Sequence, residues 1–273
     1  MAASKSRVGL VMITALAVLP FTVRDAAATE VEFQTVLGNF RVNLYDNITP
    51  GTVENFLEYV NNGAYTNSVI HRSDPGFVIQ GGGYTFDLEL PLEEIPRNPS
   101  VRNEPELANV RGTIGMARLN NRPNSATSQW FFNLDDNSDS LDWPRGGYTV
   151  FGEVVDDGMD VVDAIAALPV FDLGDPVNSA PLRDYTDDDL LNGAVIDEDN
   201  LVIITAVIVT DSTVDSAAGL DPPLNTATNR RPPPLYVDSG SGGPGSTSLL
   251  FLLAIGLVRL LARRRIARSA AHG

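Results

Sequence analysis

The sequence predicts a mainly β protein in which a closed antiparallel barrel is capped by helices. Several short stretches rich in β-branched and aromatic residues are separated by turn residues, which favours short strands. Two stretches show the apolar spacing of an amphipathic helix. Because these helices do not alternate with the strands as in βαβ units, we expect the strands to pair antiparallel and to close on themselves.

The first predicted strands lie in VEFQTVLGNFRVNLYD, residues 31–46. Apolar and polar residues alternate on the C-terminal side of this stretch, and Gly38-Asn39 is the expected hinge between two strands. Later strands are predicted from the β-branched and aromatic content of residues 113–117, 130–134, 148–155 and 201–209.

Two helices are predicted. The first begins at Thr49-Pro50, with Thr as the N-cap and Pro at the first helical position, and ends at Asn62-Gly63. The second spans residues 157–168, ahead of Pro169. Their expected buried faces consist of Val53, Phe56, Leu57 and Val60 in the first helix and Val161, Val162, Ile165 and Leu168 in the second.

Residues 1–28 have the layout of a secretory signal peptide. Lys5 and Arg7 precede the apolar run 8–23, and Ala26-Ala27-Ala28 offers a small-residue cleavage site. A retained membrane anchor is the alternative, which we disfavour because the run is shorter than the roughly 20 residues that span a bilayer. The globular domain is then expected over residues 29–212.

The C-terminal part is expected to be a linker followed by an anchor or sorting signal. Residues 213–248 are rich in Pro, Gly, Ser and Thr, which is typical of a flexible linker. Within 249–273, a hydrophobic stretch precedes Arg263-Arg264-Arg265. About fourteen residues of helix cover only ~21 Å of a hydrocarbon core of ~30 Å. The layout resembles the tails of bacterial envelope proteins that a membrane sorting protease cleaves, with a single-pass anchor as the alternative.

The net charge and the absence of cysteine exclude one class of partner and one kind of stabilising bond. The 273 residues contain 35 Asp plus Glu against 19 Lys plus Arg, so the net charge is −16. A surface this acidic repels the phosphates of nucleic acids and anionic lipids, so we expect no nucleic acid partner. Cysteine is absent, and the fold has no disulfide to stabilise it.

The residues present also exclude several kinds of catalytic and binding site. His71 is the only histidine before the C-terminal tail, which excludes a Cys-His pair and a multi-His metal site and disfavours a Ser-His-Asp triad. Gly81-Gly82-Gly83 is not followed by Lys and Ser or Thr, so it does not match a phosphate-binding loop. The stretch SVIHRSDPGFVIQGGG, residues 68–83, then leaves a cationic group beside an apolar slot.

Four stretches resemble successive blocks of the cyclophilin family of peptidyl-prolyl isomerases, in the family's order and spacing. They are VIHRSDPGFVIQGGG, NEPELANVRGTIGMAR, NSATSQWFFNL and GYTVFGEVVDDGMDVVDAI, and the resemblance covers about residues 30–210. It implies an eight-stranded antiparallel barrel closed by two helices, in agreement with the predicted elements. It also implies a monomeric enzyme that isomerises X-Pro bonds in unfolded or partly folded proteins, without a cofactor or metal.

The resemblance also implies the site residues. The family's catalytic positions fall on Arg72, Gln80 and Phe131. Its substrate-binding positions line the pocket for the proline ring, hold the peptide backbone or form the edge along which a peptide lies, and they fall on Phe77, Val78, Ala117, Arg118, Gln129, Leu141 and Tyr148. The alternatives are an Arg72 paired with a carboxylate, a solvent-facing role for the two glutamines, and ordinary core packing for the apolar residues.

Departures from the family pattern are expected to change the rim of the pocket. Val78 replaces a common Met, and Arg118 replaces a common Asn. Ser140 stands where many members have Trp or Phe, and Trp143 follows two residues after Leu141. The rim is therefore expected to be more open, with weak binding of the family's cyclic peptide inhibitors. His71 is expected to be structural, because neighbours in an extended segment point to opposite faces.

Residues 171–200 are expected to form an insert before the last strand. Its Asp cluster suggests calcium, but the regular D-x-D-x-D-G loop and closing Glu are missing, so we favour a solvated acidic loop. The leading hypothesis for the whole chain is an isomerase exported to the periplasm or cell envelope. The alternatives are a non-catalytic binding module for Pro-containing partners at the cell surface and a calcium-dependent surface protein.

Overall fold

The structure, a computed structural model, describes residues 29–88, 90–143, 146–212 and 220–227. The predicted signal peptide 1–28, the tail 249–273 and most of the predicted linker 213–248 lie outside the described residues. Across the described ranges, none of the helices has the length and apolar character that a membrane span requires.

The secondary structure consists of short strands and four helices within the described residues. The strands are β1 Glu30–Thr35, β2 Gly38–Leu44, β3 Ser68–Val69, β4 Arg72–Asp74, β5 Val78–Gly81, β6 Tyr84–Thr85, β7 Glu93–Glu94, β8 Thr113–Met116, β9 Trp130–Asn133, β10 Val150–Val154, β11 Val170–Phe171, β12 Ala180–Pro181 and β13 Ile203–Asp211. The helices are α1 Pro50–Asn61, α2 Ser138–Leu141, α3 Gly158–Ala166 and α4 Asp187–Asn192.

One antiparallel sheet forms the barrel. Its hydrogen-bonded order is β4-β5-β9-β8-β10-β2-β1-β13-β3-β6-β7. Strands β3 and β4 are two halves of one stretch, residues 68–74, and they pair with β13 and β5 respectively. Counting this stretch once gives a ring of eight antiparallel strands, β4 to β3 in the order above. The prediction of a mainly β, eight-stranded antiparallel barrel is confirmed.

The predicted elements agree with the structure to within about two residues at most ends. The turn between β1 and β2 is an exception, since it falls at residues 36–37 rather than at Gly38-Asn39. Gly38 instead opens β2 with a φ of +129°, a conformation that side chains rarely adopt. The predicted helices correspond to α1 and α3. The sequence did not reveal α2 and α4, because neither is long enough to show a full apolar period.

Aromatic rings fill the interior of the barrel. The Phe33 ring stacks on Phe40 at 5.0 Å between centroids and meets Trp130 and Phe132 edge-on at 5.1 and 5.5 Å. Phe56 of α1 adds a further ring at 6.2 Å from Phe33. Since large rings in mutual contact cannot move independently, this core gives the surrounding strands a rigid support.

The insert 171–200 is more than the solvated loop that we predicted. Its apolar side chains form a second buried cluster with side chains of the barrel, comprising Val69, Tyr84, Phe86, Phe171, Val177, Ala180, Leu182, Tyr185, Leu201 and Ile203. The carboxylates of Asp187, Asp188 and Asp189 occupy the first turn of α4, which buries no residue. Within the described residues, no group of three or more carboxylate or histidine side chains is arranged to hold a metal ion.

Residues 220–227, assigned from sequence to the flexible linker, pack against the barrel in the structure. The amide of Ala108 donates to the carbonyl of Pro223 at 2.8 Å, and the amide of Asn225 donates to the carbonyl of Glu106 at 2.9 Å. Backbone hydrogen bonds thus hold this segment of the predicted linker in place.

Candidate active site

Three neighbouring strands align the predicted catalytic residues. Arg72 on β4 is paired with Gln80 on β5, and Gln80 is paired with Phe131 on β9. Residues directly opposite one another in an antiparallel sheet project to the same face. The register therefore brings a guanidinium, a carboxamide and an aromatic ring to one face of the barrel wall.

The guanidinium of Arg72 is held from two sides. Nη1 donates to Oε1 of Gln80 at 3.3 Å, and Nη2 lies 3.4 Å from Oδ2 of Asp74. The side chain is 9% exposed, and Cζ lies 5.9 Å from the centre of the Phe77 ring. Burial lowers the pKa of Arg72 from its usual value, and the charge of Asp74 opposes that shift. Because arginine keeps its proton in proteins, the site contains a fixed cation beside an apolar surface.

The two predicted glutamines contact one another. Nε2 of Gln80 donates to Oε1 of Gln129 at 2.7 Å, while Oε1 of Gln80 accepts from Arg72. The backbone carbonyl of Gln129 accepts from the amide of Ala117 at 2.9 Å. Arg72, Gln80 and Gln129 therefore form one chain of hydrogen bonds that leads to the end of β8.

The predicted pocket residues form an apolar cluster separate from the main core. The cluster consists of Phe77, Val78, Ala117, Phe131 and Leu141, with Tyr148 packed against it. The Tyr148 ring meets the Phe131 ring edge-on, with 5.9 Å between centroids. Together with the chain of hydrogen bonds above, the structure brings the residues predicted for the site, apart from Arg118, into one region of the barrel.

The match to known families agrees with this geometry. The protein-family model for "Cyclophilin type peptidyl-prolyl cis-trans isomerase/CLD" matches residues 30–186, more than half of the chain. The chain belongs to the cyclophilin family. Its enzymatic activity is therefore peptidyl-prolyl cis-trans isomerisation, and cyclophilins bind Pro-containing peptides.

Curated bacterial relatives support the same assignment. A peptidyl-prolyl cis-trans isomerase of Acinetobacter baylyi is 45% identical over 152 residues, which cover 54% of this chain and 77% of the relative. Peptidyl-prolyl cis-trans isomerase A of Dickeya dadantii is 39% identical, covering 65% of this chain and 92% of the relative. Peptidyl-prolyl cis-trans isomerase B of Escherichia coli is 43% identical, covering 50% and 82% respectively.

Arg118 of this cyclophilin supports one side of the pocket. Its guanidinium Cζ lies 4.3 Å from the centre of the Tyr148 ring. Nε and Nη2 donate to the carbonyl of Gly147 at 3.0 and 2.8 Å. A cation over an aromatic face, fixed by hydrogen bonds to the adjacent backbone, restrains the ring that closes the pocket.

The rim beyond Leu141, which the sequence predicts to be open, includes Ser140 and Trp143. Trp143 is 44% exposed and lies outside the apolar cluster of the pocket. Ser140 contributes a small polar side chain, and the openness of the rim stays a prediction.

Three asparagine side chains lie buried beside the pocket residues, and their role was not predicted from the sequence. Asn137 Nδ2 donates to the carbonyl of Phe77 and to Oδ1 of Asn133, both at 2.8 Å. Asn133 Nδ2 donates to Oδ1 of Asn109 at 3.3 Å, and Asn109 Nδ2 donates to the carbonyl of Tyr148 at 3.2 Å. The three amides thus connect opposite sides of the pocket. Asparagine is common in loops, so these residues carried no signal before their burial was known.

Asp74 and Ser179 support the strand that carries Arg72, and sequence reasoning missed both. Ser73, which follows Arg72, donates its amide to the carbonyl of Ser179 at 2.7 Å, and Ser179 Oγ donates to the carbonyl of Ser73 at 2.7 Å. The insert therefore pairs with the outer side of β4. Asp74 had one available signal, since its spacing of two residues from Arg72 places both on one face of a strand.

His71 lies in the interior, next to the site. It is 1% exposed, and its ring meets the Tyr84 ring edge-on at 4.9 Å. Burial lowers the pKa of His71 to about 4, so the imidazole is neutral at pH 7. A neutral, enclosed ring fits the structural role that the alternation of the strand predicts.

Proposed function

We propose that this cyclophilin is an exported folding enzyme whose substrates are X-Pro bonds in other exported proteins. The observation that carries the isomerase chemistry is the in-register set Arg72, Gln80 and Phe131 beside the apolar cluster to which the proline pocket is assigned. The export of the enzyme rests on the sequence of residues 1–28.

The chemistry requires no bond to be broken. Rotation about an X-Pro amide is slow because its C–N bond has partial double-bond character, with a barrier of about 18–20 kcal/mol. In the half-rotated amide the imide nitrogen becomes pyramidal and gains a lone pair. An enzyme accelerates the rotation if it binds this twisted form more tightly than either planar form.

Arg72 is the donor that would stabilise the twisted amide. Its guanidinium stays charged and presents a rigid fork, whereas a lysine would be a mobile point charge. Gln80 and Asp74 hold the fork from two directions, so little freedom is lost when the substrate binds. Phe77, Phe131 and the other apolar side chains would seat the proline ring next to this donor.

The arrangement favours catalysis over simple binding. Burying a guanidinium is costly unless polar partners compensate for the lost water, and here two side chains of the barrel do so. An apolar pocket alone would bind a proline ring. A buried cation at the pocket's edge adds an interaction that grows as the amide twists, which a binding module does not need.

Two arguments favour other exported proteins as the substrates: the predicted signal peptide and the kinetics of protein folding. Uncatalysed X-Pro isomerisation takes about 10–100 s at 25 °C and limits the folding of many proteins. An exported chain folds after translocation, when it depends on isomerases in the compartment that it has reached. The acidic surface of this cyclophilin disfavours nucleic acid as a competing partner.

Two measurements test the proposal. N-terminal sequencing of the protein purified from the cell envelope should begin at Thr29, and an intact N-terminus on protein confined to the cytosol would contradict export. Refolding of an exported protein with a slow X-Pro phase should become faster in the presence of the wild type and stay unchanged with Arg72→Ala. Equal acceleration by both proteins would show that binding, rather than isomerisation, assists folding.

A further inference from the structure

The described segment after the last strand lies next to the pocket. We name residues 220–227 the C-terminal strap. It pairs with residues 106–108 through the two backbone hydrogen bonds described above and an antiparallel bridge between Leu107 and Leu224. Leu220 packs against a buried cluster of Tyr45, Leu107 and Val150. The match to the cyclophilin family ends at residue 186, so the strap lies outside the region that the family model covers.

Asn225 connects the strap to the pocket wall. The residue is 6% exposed, and its Nδ2 donates to the carbonyl of Asp142 at 2.7 Å. Its Oδ1 accepts from the amide of Ala227 at 2.8 Å, which fixes the orientation of the carboxamide. Asp142 directly follows Leu141, a wall of the pocket, so the hydrogen bond acts one residue away from a side chain of the apolar cluster.

Asp142 is in turn connected, through Asn109, to Tyr148 on the same side of the pocket. Its Oδ1 accepts from the amide and from Nδ2 of Asn109, at 2.8 and 3.0 Å. Asn109 Nδ2 also donates to the carbonyl of Tyr148, and the amide of Tyr148 donates to the carbonyl of Leu141 at 2.9 Å. The strap therefore joins a closed set of hydrogen bonds that fixes Leu141 and Tyr148 relative to one another.

The wall needs such support because its own secondary structure is minimal. Leu141 ends α2, a helix of four residues, and a single turn of helix is unstable in isolation. Next to this turn, Ser140 has a small side chain and Trp143 is 44% exposed. Hydrogen bonds from outside the helix must then hold the turn in place.

We propose that Asn225, through the C-terminal strap, is a positioning residue that sets the shape of the proline pocket. This proposal rests on the isomerase function. Arg72 lies on β4 and is held by Asp74 of β4 and Gln80 of β5, on the other side of the apolar cluster from the strap's contact with Asp142. Loosening the wall should therefore weaken substrate binding while leaving the catalytic donor in place.

The experiment compares variants of the full chain. Asn225→Asp keeps the size of the side chain but sets an acceptor against the Asp142 carbonyl, and Asn225→Ala removes the contact. Leu224→Ala is the matched control, because Leu224 belongs to the same strap and is 70% exposed. The measured quantities are KM and kcat on a Pro-containing model peptide, well below the melting temperature, and the hydrogen exchange rate of the Tyr148 amide.

We expect both Asn225 variants to raise KM about three- to tenfold, as the loss of one buried hydrogen bond predicts, with kcat nearly unchanged. The Tyr148 amide should exchange faster in both, and Leu224→Ala should behave as wild type. Unchanged KM and unchanged exchange would overturn the proposal, as would a lower melting temperature with wild-type KM. A wild type without turnover would instead contradict the isomerase function, and the exchange rates alone would then decide whether the strap holds the wall.

Discussion

Arg72 lies directly opposite Gln80 across the antiparallel pair β4 and β5, and its Nη1 donates to Gln80 Oε1 at 3.3 Å. The same Gln80 donates to Gln129 at 2.7 Å. The position of the guanidinium is thus set by the register of two strands as well as by its own rotamer. A shift of one residue in that register would turn Arg72 to the other face of the sheet.

Replacing the guanidinium should remove most of the activity. We expect Arg72→Ala to lower kcat/KM on a Pro-containing peptide by about 10²–10³-fold, the usual effect of deleting one donor to a transition state. Arg72→Lys should also be strongly impaired, since a lysine lacks the fork. A coupled assay of cis-to-trans conversion measures the loss, with circular dichroism as the check on folding. Arg97→Ala is the control, because Arg97 is 57% exposed and pairs with Glu94. Near-normal turnover by Arg72→Ala would remove this residue from the mechanism.

Removing the charge of Asp74 tests whether this carboxylate orients the guanidinium. We expect Asp74→Asn to lower kcat about two- to fivefold with little change in KM, because the guanidinium loses one charge-assisted contact while the pocket stays intact. Asp139→Asn is a matched control, since Asp139 is exposed on α2. A faster variant would show that Asp74 attenuates the cation instead of orienting it.

The contact between Gly115 and Phe131 can be tested by adding one methyl group. A Cβ on Gly115 would lie 2.6 Å from Cζ of Phe131, closer than packed atoms allow. We expect Gly115→Ala to destabilise the fold by about 1–3 kcal/mol and to raise KM, because the Phe131 ring must move in the pocket. Urea denaturation and peptide kinetics measure the two effects. Gly51→Ala on α1 is the control, as the atoms nearest to its Cβ would belong to the side chain of Glu104, at 3.4 Å or more. Equal stability and equal KM in the two variants would contradict the predicted clash between residue 115 and Phe131.

His71 should make stability depend on pH in a defined window. Its pKa is about 4 in the folded protein and about 6.5 in an unfolded chain, so the unfolded state binds the proton more readily. The free energy of unfolding should therefore fall as the pH drops from about 6.5 towards 4, by at most about 1.4 kcal/mol per pH unit from this residue. Urea denaturation at pH 7 and pH 5.5 measures the slope. His71→Gln should reduce the change in the free energy of unfolding between the two pH values. An equal change in wild type and variant would show that other groups cause the pH dependence.

The predicted open rim should limit binding of cyclic peptide inhibitors of the family. We expect the wild type to bind them weakly while it retains turnover, because Ser140 has a small side chain and Trp143 is 44% exposed. Ser140→Trp should strengthen inhibition without a comparable change in kcat. Titration of activity with the inhibitor measures both, and tight inhibition of the wild type would contradict the prediction.

Much of the barrel could be predicted because its signals are local. Strand β13 is a run of β-branched residues, and α1 begins at a Thr-Pro pair, so each is specified by its own stretch of sequence. The catalytic positions were predicted from the family motifs, and the strand register explains why Arg72 and Phe131, far apart in sequence, meet at one site.

The residues that support the site were not predictable in the same way. Asn109, Asn133 and Asn137 become informative only when the fold buries them and their amides must find partners. The strap has the composition of a linker, and its fixed position depends on a few backbone hydrogen bonds and on Asn225. Such contacts between distant segments leave no periodic pattern in the sequence.

The shared stretch 68–74 has a consequence for when the enzyme becomes active. Its first half pairs with β13, and β13 also pairs with β1 near the N-terminal end of the domain. Strand β13 is the last strand of the barrel, so a chain still being synthesised cannot complete the ring. Arg72, on the second half of the stretch, is then left on an unfinished wall. This isomerase must therefore complete its own fold before Arg72 can act.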